Sequence, residues 1–477
     1  MPADGVREVR DTSRVLRRPR RRVAVAGVLA CAVLAAAPQR GRLEAQTAGR
    51  LVAYEGARLV PGDGRPAVEV ATLVVDGGVV RQVGAAGQVR VPAGATRVSL
   101  AGKTIVPAFL NAHTHPGFQR GATYVRGNYG RDQVLRDLAR AQFFGVAAVL
   151  SQGIDPGDTA FAIRADQRAG RAGGARLLLA GRGIGAPNAG PGAAAYQGIA
   201  YELTTPDEGR RAVRELAGQG VDVVKIWVDD RNGRAPRLSE GAYRAIIDEA
   251  HRRGLKVNAH VFYLADLKTL VGAGIDGLVH LARDLELDDQ AVAAIVKHGT
   301  YVMPTLTTVE RAAHTSVPPA LTPWLDGPEG AALGAAMLER VRAGFGGRTA
   351  QDADAARQRY AILQRSVAKL ARAGAKLVLG SDTGTQDHPF GFTDHRELQM
   401  MVEAGATPMQ ALVAATSRAA EYMKVGDLGT LAPGKTATFI VLDANPLDDI
   451  ANTRRIADVY VAGRRLDRQA LRAALTD

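Results

Sequence analysis

From Thr104 onward the chain repeats one unit, a short apolar run followed by a stretch whose apolar residues recur at helical spacing. Eight such runs can be counted, at residues 104–110, 146–151, 175–180, 221–227, 256–260, 277–280, 301–304 and 376–380. Short apolar runs alternating with amphipathic helices read as parallel strands covered on both faces, and eight of them predict an α/β fold built on a (β/α)8 barrel. The best-defined helix is SEGAYRAIIDEAHRRG, with Ser239 at its N-cap, one stripe of Tyr243, Ile246, Ile247 and Ala250, and Gly254 as its stop. Residues 51–100 have a different texture, and ATLVVDGGVVRQVG predicts a hairpin turning at Asp76–Gly78. A β pattern returns after Gly426, in GTLAPGKTATFIVLD and IADVYVAGRRL. The expected organisation is a leader over 1–47, then a small flanking β-sandwich built from segments 48–105 and 425–477, with a distorted barrel at 106–424 inserted between them. Two connections are long, 183–201 and 310–359, and both are expected at the C-terminal ends of the strands, where lids and substrate loops lie.

Six polar residues close these apolar runs: His113 and His115 in VPAFLNAHTH, Lys225 in VVKIW, His260 in KVNAH, His280 in GLVH and Asp382 in LVLGSD. The C-terminal ends of barrel strands converge on one mouth, and imidazole and carboxylate are ligands for divalent metals. His113 and His115 are two residues apart on a strand and project to the same side. Taken singly, a His–x–His pair or a strand-ending histidine is often an ordinary surface or core residue. Two histidines on successive strands beside such a pair favour a metal centre. Asp382 has a competing reading as a helix N-cap, but Ser381 and Thr383 offer that service too. Lys225 ends a buried run, where an isolated ammonium is costly. It is expected either to pair with Asp229 or Asp230 or to be carboxylated by CO2 into an anionic two-oxygen ligand.

The net charge of +13 divides unevenly. Residues 1–50 hold 11 Arg and 4 acidic residues, leaving 50 basic against 44 acidic residues in the body. Interspersed charge with 5% aromatic content excludes a nucleic-acid-binding reading. RRPRRR followed by the 15-residue apolar run VAVAGVLACAVLAAA and small residues near Ala45 and Ala48 reads as a signal peptide, the run being short for a membrane span. An uncleaved anchor is the competing reading, and a lipoprotein site at Cys31 a weaker one. Export to a periplasmic or extracellular space is therefore expected, with no other membrane association. Cys31 is the single cysteine, so any metal must be held by nitrogen and oxygen.

Over residues 51 to the C-terminus the chain resembles the amidohydrolase superfamily of metal-dependent hydrolases, in its imidazolonepropionase-like and Xaa-Pro dipeptidase-like branch. The resemblance rests on the His–x–His strand, VKIWVDD, NAHVF, GLVH, GSDTG and the tail AGATPMQALVAATSRAAEYMKVGDLGTLAPGKTATFIVLDANPLDDI. It implies a distorted barrel with a flanking β-sandwich and two divalent ions, usually zinc. His113, His115 and Asp382 would hold one ion and His260 and His280 the other, with carboxylated Lys225 and a hydroxide between them. It also implies hydrolysis of an amide or peptide-like C–N bond, in a dipeptide or N-acyl amino acid, by that hydroxide, with Asp382 as general base and then acid. The sequence departs from the family at Ala108 and Asn111, where glycine and aspartate are frequent. Tyr263 and Arg283 are candidates to bind a substrate carboxylate. His388 and His395 are candidate contacts, weighed against a surface-loop role. Three functions follow: this binuclear amidohydrolase on a small-molecule substrate; a mononuclear cyclic amidohydrolase or deaminase with a structural Lys225; and a non-catalytic barrel serving binding or assembly. Self-association is left open. GRGIGA, a loose dinucleotide fingerprint, is followed by Pro187 and Pro191 and cannot open the helix that motif needs.

Overall fold

The structure is a computed structural model and describes residues 51–476, so the basic and apolar leader lies outside the described residues. No helix among the described residues is long and apolar enough to cross a membrane.

The parallel strands are β1 (Phe109–Thr114), β2 (Val146–Ser151), β3 (Arg176–Leu179), β4 (Val223–Val228), β5 (Lys256–Val261), β6 (Gly277–Val279), β7 (Tyr301–Met303) and β8 (Lys376–Leu377). They fall into two sheets rather than one continuous ladder. One has the order β3-β2-β1; the other runs from Tyr201–Glu202 and Ile184–Gly185 through β4 to β8. The break between β3 and β4 has a local cause. The glycine-rich segment after β3 supplies its own short strand, and Ile184 pairs with Ile226 at the edge of β4. Hydrogen bonds still join the sheets on both sides. Ala112 N–H donates to Leu379 O at 2.9 Å and Asp382 N–H to His113 O at 2.9 Å, while Asp222 N–H donates to Leu179 O at 2.8 Å. Between the strands, Leu110, Leu150, Val223, Val279, Met303 and Val378 form one buried apolar cluster.

The N- and C-terminal segments meet in one connected, mixed eight-stranded sheet. Thr104–Pro107 is the shared strand, parallel to Val52–Leu59 and antiparallel to Phe439–Leu442. This corrects the expected first barrel run. Pro107 has no N–H to continue a ladder, and at Phe109 the N–H donates instead to Gly145 O at 2.9 Å, starting β1. The sheet gathers Tyr54, Leu73, Phe439 and Tyr460 into its own core. Its hairpin turns at Gly77 and Gly78, with φ of 60° and 81°, the double left-handed turn that matches strand twist.

The helix Glu240–Arg252 begins at Ser239, whose hydroxyl accepts from Ala242 N–H at 3.3 Å, and it buries Tyr243, Ile246, Ile247 and Ala250. The connection 310–359, expected as a loop over the mouth, is largely helical. Thr322–Asp326 and Ala335–Ala343 lie within it, and Ala350–Arg372 begins at its end. Its Leu321, Trp324, Met337 and Phe345 pack on Phe144 and Phe392, because its apolar residues recur at helical spacing and need a partner face.

Candidate metal centre

All six strand-end residues face one cavity of about 240 Å3, at the C-terminal ends of the parallel strands. His113 and His115 come from β1, Lys225 from β4, His260 from β5, His280 from just past β6, and Asp382 from the loop after β8. Three successive strand ends turn through left-handed backbone there: His280 at φ 71°, Thr305 at 55° and Asp382 at 57°. Such conformations in non-glycine residues persist where the surroundings over-determine them and cluster at functional sites.

His113 Nε2 lies 3.3 Å from His115 Nε2 and 3.3 Å from Asp382 Oδ1, and His115 Nε2 lies 2.9 Å from Asp382 Oδ1. The ligand atoms of His113, His280 and Asp382 are all within 4.8 Å of one another. The ring of His280 packs on that of His113 at 5.1 Å and on that of His260 at 4.7 Å. Thr305 O–H donates to Met303 O at 3.1 Å, so its oxygen accepts from His113 Nδ1 at 3.5 Å and leaves Nε2 with its lone pair. Likewise Asp229 lies 3.0 Å from His260 Nε2 and occupies that nitrogen, which leaves Nδ1 as the free one.

Burial lowers the pKa of His113 and His280 and brings His260 down to about 4, against the opposing pull of Asp229 on His260. Burial works to raise the Asp382 carboxyl, but the imidazoles of His113 and His115 outweigh it and hold the group below the ordinary range. Neutral imidazoles beside an ionised carboxylate are the protonation states that metal ligation requires. The Nδ1 atoms of His115 and His280 are buried without a hydrogen-bond partner among the described residues. Such orphaned polar atoms are rare in folded proteins. The donor set is all nitrogen and oxygen, and it fits a divalent cation.

Lys225 is 1% exposed, and no carboxylate among the described residues lies within 4.0 Å of its ammonium. Asp229 is engaged by His260 and Arg231, and Asp230 by Arg237 and Tyr263, so neither forms the salt bridge weighed for Lys225. Burial pulls the Lys225 amine down to about 7, with Asp382 opposing. Room for its stem comes from Gly153, where an added Cβ would sit 2.8 Å from Lys225 Cγ.

Arg283 and His388 line the cavity; Tyr263 does not, because its hydroxyl donates to Asp230 at 2.9 Å. His395 is buried in the helix Phe392–Glu403, whereas His388 is half-buried in the loop that precedes it. His388 spans the carbonyls of Thr385 and Thr307 at 3.1 and 3.2 Å, and His395 is held by Phe144 O at 2.9 Å, away from the cavity. Among the wall residues not singled out from sequence are Tyr124, Tyr196, Trp227 and Arg231. Arg231 follows Lys225 by six positions in VKIWVDDR, and a cation just past a ligand-bearing strand was the available signal. Tyr196 comes from the 183–201 connection, which does border the mouth through Pro191, Gly192 and Ala193.

Residues 104–466 match the amidohydrolase family, and the chain belongs to it. Ochratoxinase of Aspergillus niger is 28% identical over 255 residues, which are 51% of this chain and 45% of that protein. The chain spans about half the length of the curated relatives it matches, 52% of one and 45% of another. Among solved structures, phenylurea hydrolase B is 25% identical with a TM-score of 0.69, covering 90% of this chain and 99% of that one. A Xaa-Pro dipeptidase with methionine bound in its active site shares the fold, at 22% identity and a TM-score of 0.67, covering 87% and 99% of the two chains.

Proposed function

We propose that this protein is an exported, metal-dependent amidohydrolase that cleaves an amide or peptide-like C–N bond in a small carboxylate-bearing molecule, and that its two-sheet barrel is a distorted (β/α)8 barrel. The observation that carries the reading is the convergence of four imidazoles, an ionised aspartate and an unpaired buried lysine on one cavity. His113, His115 and Asp382 would hold one divalent ion, zinc by preference, and His260 and His280 a second, with carboxylated Lys225 shared between them. Bound ions of this kind supply hydroxide near neutral pH and polarise the scissile carbonyl.

The remaining chemistry belongs to the chain. Asp382 takes the proton of the attacking water and delivers it to the departing nitrogen. A carboxylate held ionised by two neighbouring imidazoles is available as a base across the neutral range. Lys225 supports the two-ion reading because burial brings its amine to about 7, which gives a substantial share of the neutral form that adds CO2 near neutral pH. Arg283 and Arg231, whose Nε atoms are buried without partners, are suited to pair with a substrate carboxylate. The relatives support a C–N bond as target, since a phenylurea and a Xaa-Pro dipeptide both contain one.

The test is a screen of dipeptides and N-acyl amino acids with the purified protein, before and after chelation. Turnover that chelation removes and Zn2+ restores is expected. Turnover indifferent to chelation, or confined to cyclic amides or amino-heterocycles, contradicts the proposal. Export is tested by sequencing the N-terminus of protein recovered outside the cytoplasm, which should begin near Ala45 to Ala48; recovery of intact chain in the cytoplasm alone contradicts it.

A further inference from the structure

We propose that Asp394 is a positioning residue for the metal centre, acting through the Asn111 carboxamide on the backbone that carries His113 and Asp382. The inference rests on the metal reading above and adds to it a pair of residues outside the ligand set.

Asn111, Ser381, Thr383 and Asp394 are fully buried at 0% exposure. Asp394 lies in the first turn of the helix Phe392–Glu403. Its Oδ1 accepts from the Asn111 amide and from the Ser381 hydroxyl, and its Oδ2 accepts from Gly391 N–H at 2.9 Å. Having given its proton to Asp394, Ser381 accepts from Asn111 Nδ2 at 2.7 Å. The other end of the same carboxamide, Oδ1, accepts from His113 N–H at 2.8 Å. His113 O in turn accepts from Asp382 N–H at 2.9 Å.

Each polarity in this chain is forced. An ionised carboxylate only accepts, a carboxamide donates from one end and accepts at the other, and a backbone N–H only donates. The carboxamide can face His113 N–H with its oxygen only if its nitrogen meets acceptors, and Asp394 Oδ1 is the carboxylate among them, beside the hydroxyl oxygens of Ser381 and Thr383 at 2.7 and 3.2 Å. No cation lies within 4.0 Å of Asp394 among the described residues, so its burial is offset by three donors alone. The result is a clamp between a helix and the two strand ends that carry His113 and Asp382. Residues that orient metal ligands from behind typically govern affinity by about 10–100-fold.

The logic makes a specific demand on substitution. Asn111→Asp sets two carboxylates against each other. Asp394→Asn sets an amide nitrogen either against the Asn111 nitrogen or against Gly391 N–H. The double variant restores every polarity: the new carboxylate at 111 accepts from His113 N–H and from the new amide at 394, whose oxygen accepts from Gly391 N–H.

The experiment measures Zn2+ affinity of metal-stripped full-length protein by competition with a chromophoric chelator, with thermal unfolding as the folding control. Each single variant should lose about 10–100-fold in affinity and the double variant should return to within about threefold of the natural chain. Ser381→Ala, which changes no charge, should weaken Zn2+ binding in the same direction, and it serves if a single charge variant fails to fold. Losses that multiply in the double variant, or variants that all bind Zn2+ as tightly as the natural chain, overturn the inference. If the natural chain itself binds no Zn2+, the metal reading fails first and the inference falls with it.

Discussion

Gly153→Ala tests whether the space around Lys225 is as tight as the geometry states. The position has φ of +87°, where an alanine costs about 1–2 kcal/mol relative to glycine. The new methyl would lie 2.8 Å from Lys225 Cγ, 2.9 Å from its Cβ and 3.1 Å from the Gly183 Cα, none of them the far end of a flexible side chain. Overpacking of this kind costs about 1–3 kcal/mol. The sum, about 2–5 kcal/mol, is below the 5–15 kcal/mol typical of folded domains, so the variant should fold but be measurably weaker. Gly157→Ala is the control. It has a left-handed φ of +63° and nothing within 4 Å of the added atom. Urea unfolding of the two variants should therefore differ by the clash alone, about 1–3 kcal/mol. If Lys225 swings aside instead, the stability loss shrinks and metal content falls. Gly153→Ala matching Gly157→Ala in stability while keeping the natural metal content and activity would refute the reasoning.

Other outcomes follow from the same site. Asp382→Asn should cut turnover by about 10²–10⁴-fold while the histidines keep part of the metal, and near-normal turnover would remove its role as base. Lys225→Ala should lose activity that bicarbonate with a short carboxylic acid partly restores; full activity without addition would exclude the carbamate. Because a neutral amine adds CO2 and burial brings Lys225 from 10.5 to about 7, CO2-dependent reactivation of stripped protein should rise with pH through about 7, and a midpoint near 10 would contradict that. Arg283→Ala should raise KM for carboxylate-bearing substrates by the loss of a charge-assisted contact, about 1.5–3 kcal/mol, with little effect on an uncharged analogue, and equal effects on both would show a structural role only.

What could be read from the chain follows its physics closely. Strand-ending histidines were legible because an imidazole closing an apolar run is conspicuous, and the mouth geometry follows from strand direction. The Asp76–Gly78 turn and the Ser239 cap were legible because local chemistry decides them. The split of the parallel strands into two sheets was not, since it depends on where Ile184 finds a pairing edge. The shared strand Thr104–Pro107 was read into the barrel because an apolar run carries no label for which sheet it joins. Tyr263 and His395 were misjudged for the same reason: their partners Asp230 and Phe144 O are set by tertiary packing. The Asn111–Asp394 contact spans 283 positions, and no local pattern announces it.

The central claim is that four imidazoles, Asp382 and a carboxylated Lys225 hold two divalent ions. Elemental analysis of purified protein, expressed as metal per chain, tests it most directly. About two equivalents, falling to about one in Lys225→Ala, is the predicted result. Fewer than one equivalent after reloading with Zn2+ and bicarbonate, or one equivalent that Lys225→Ala leaves unchanged, would contradict it.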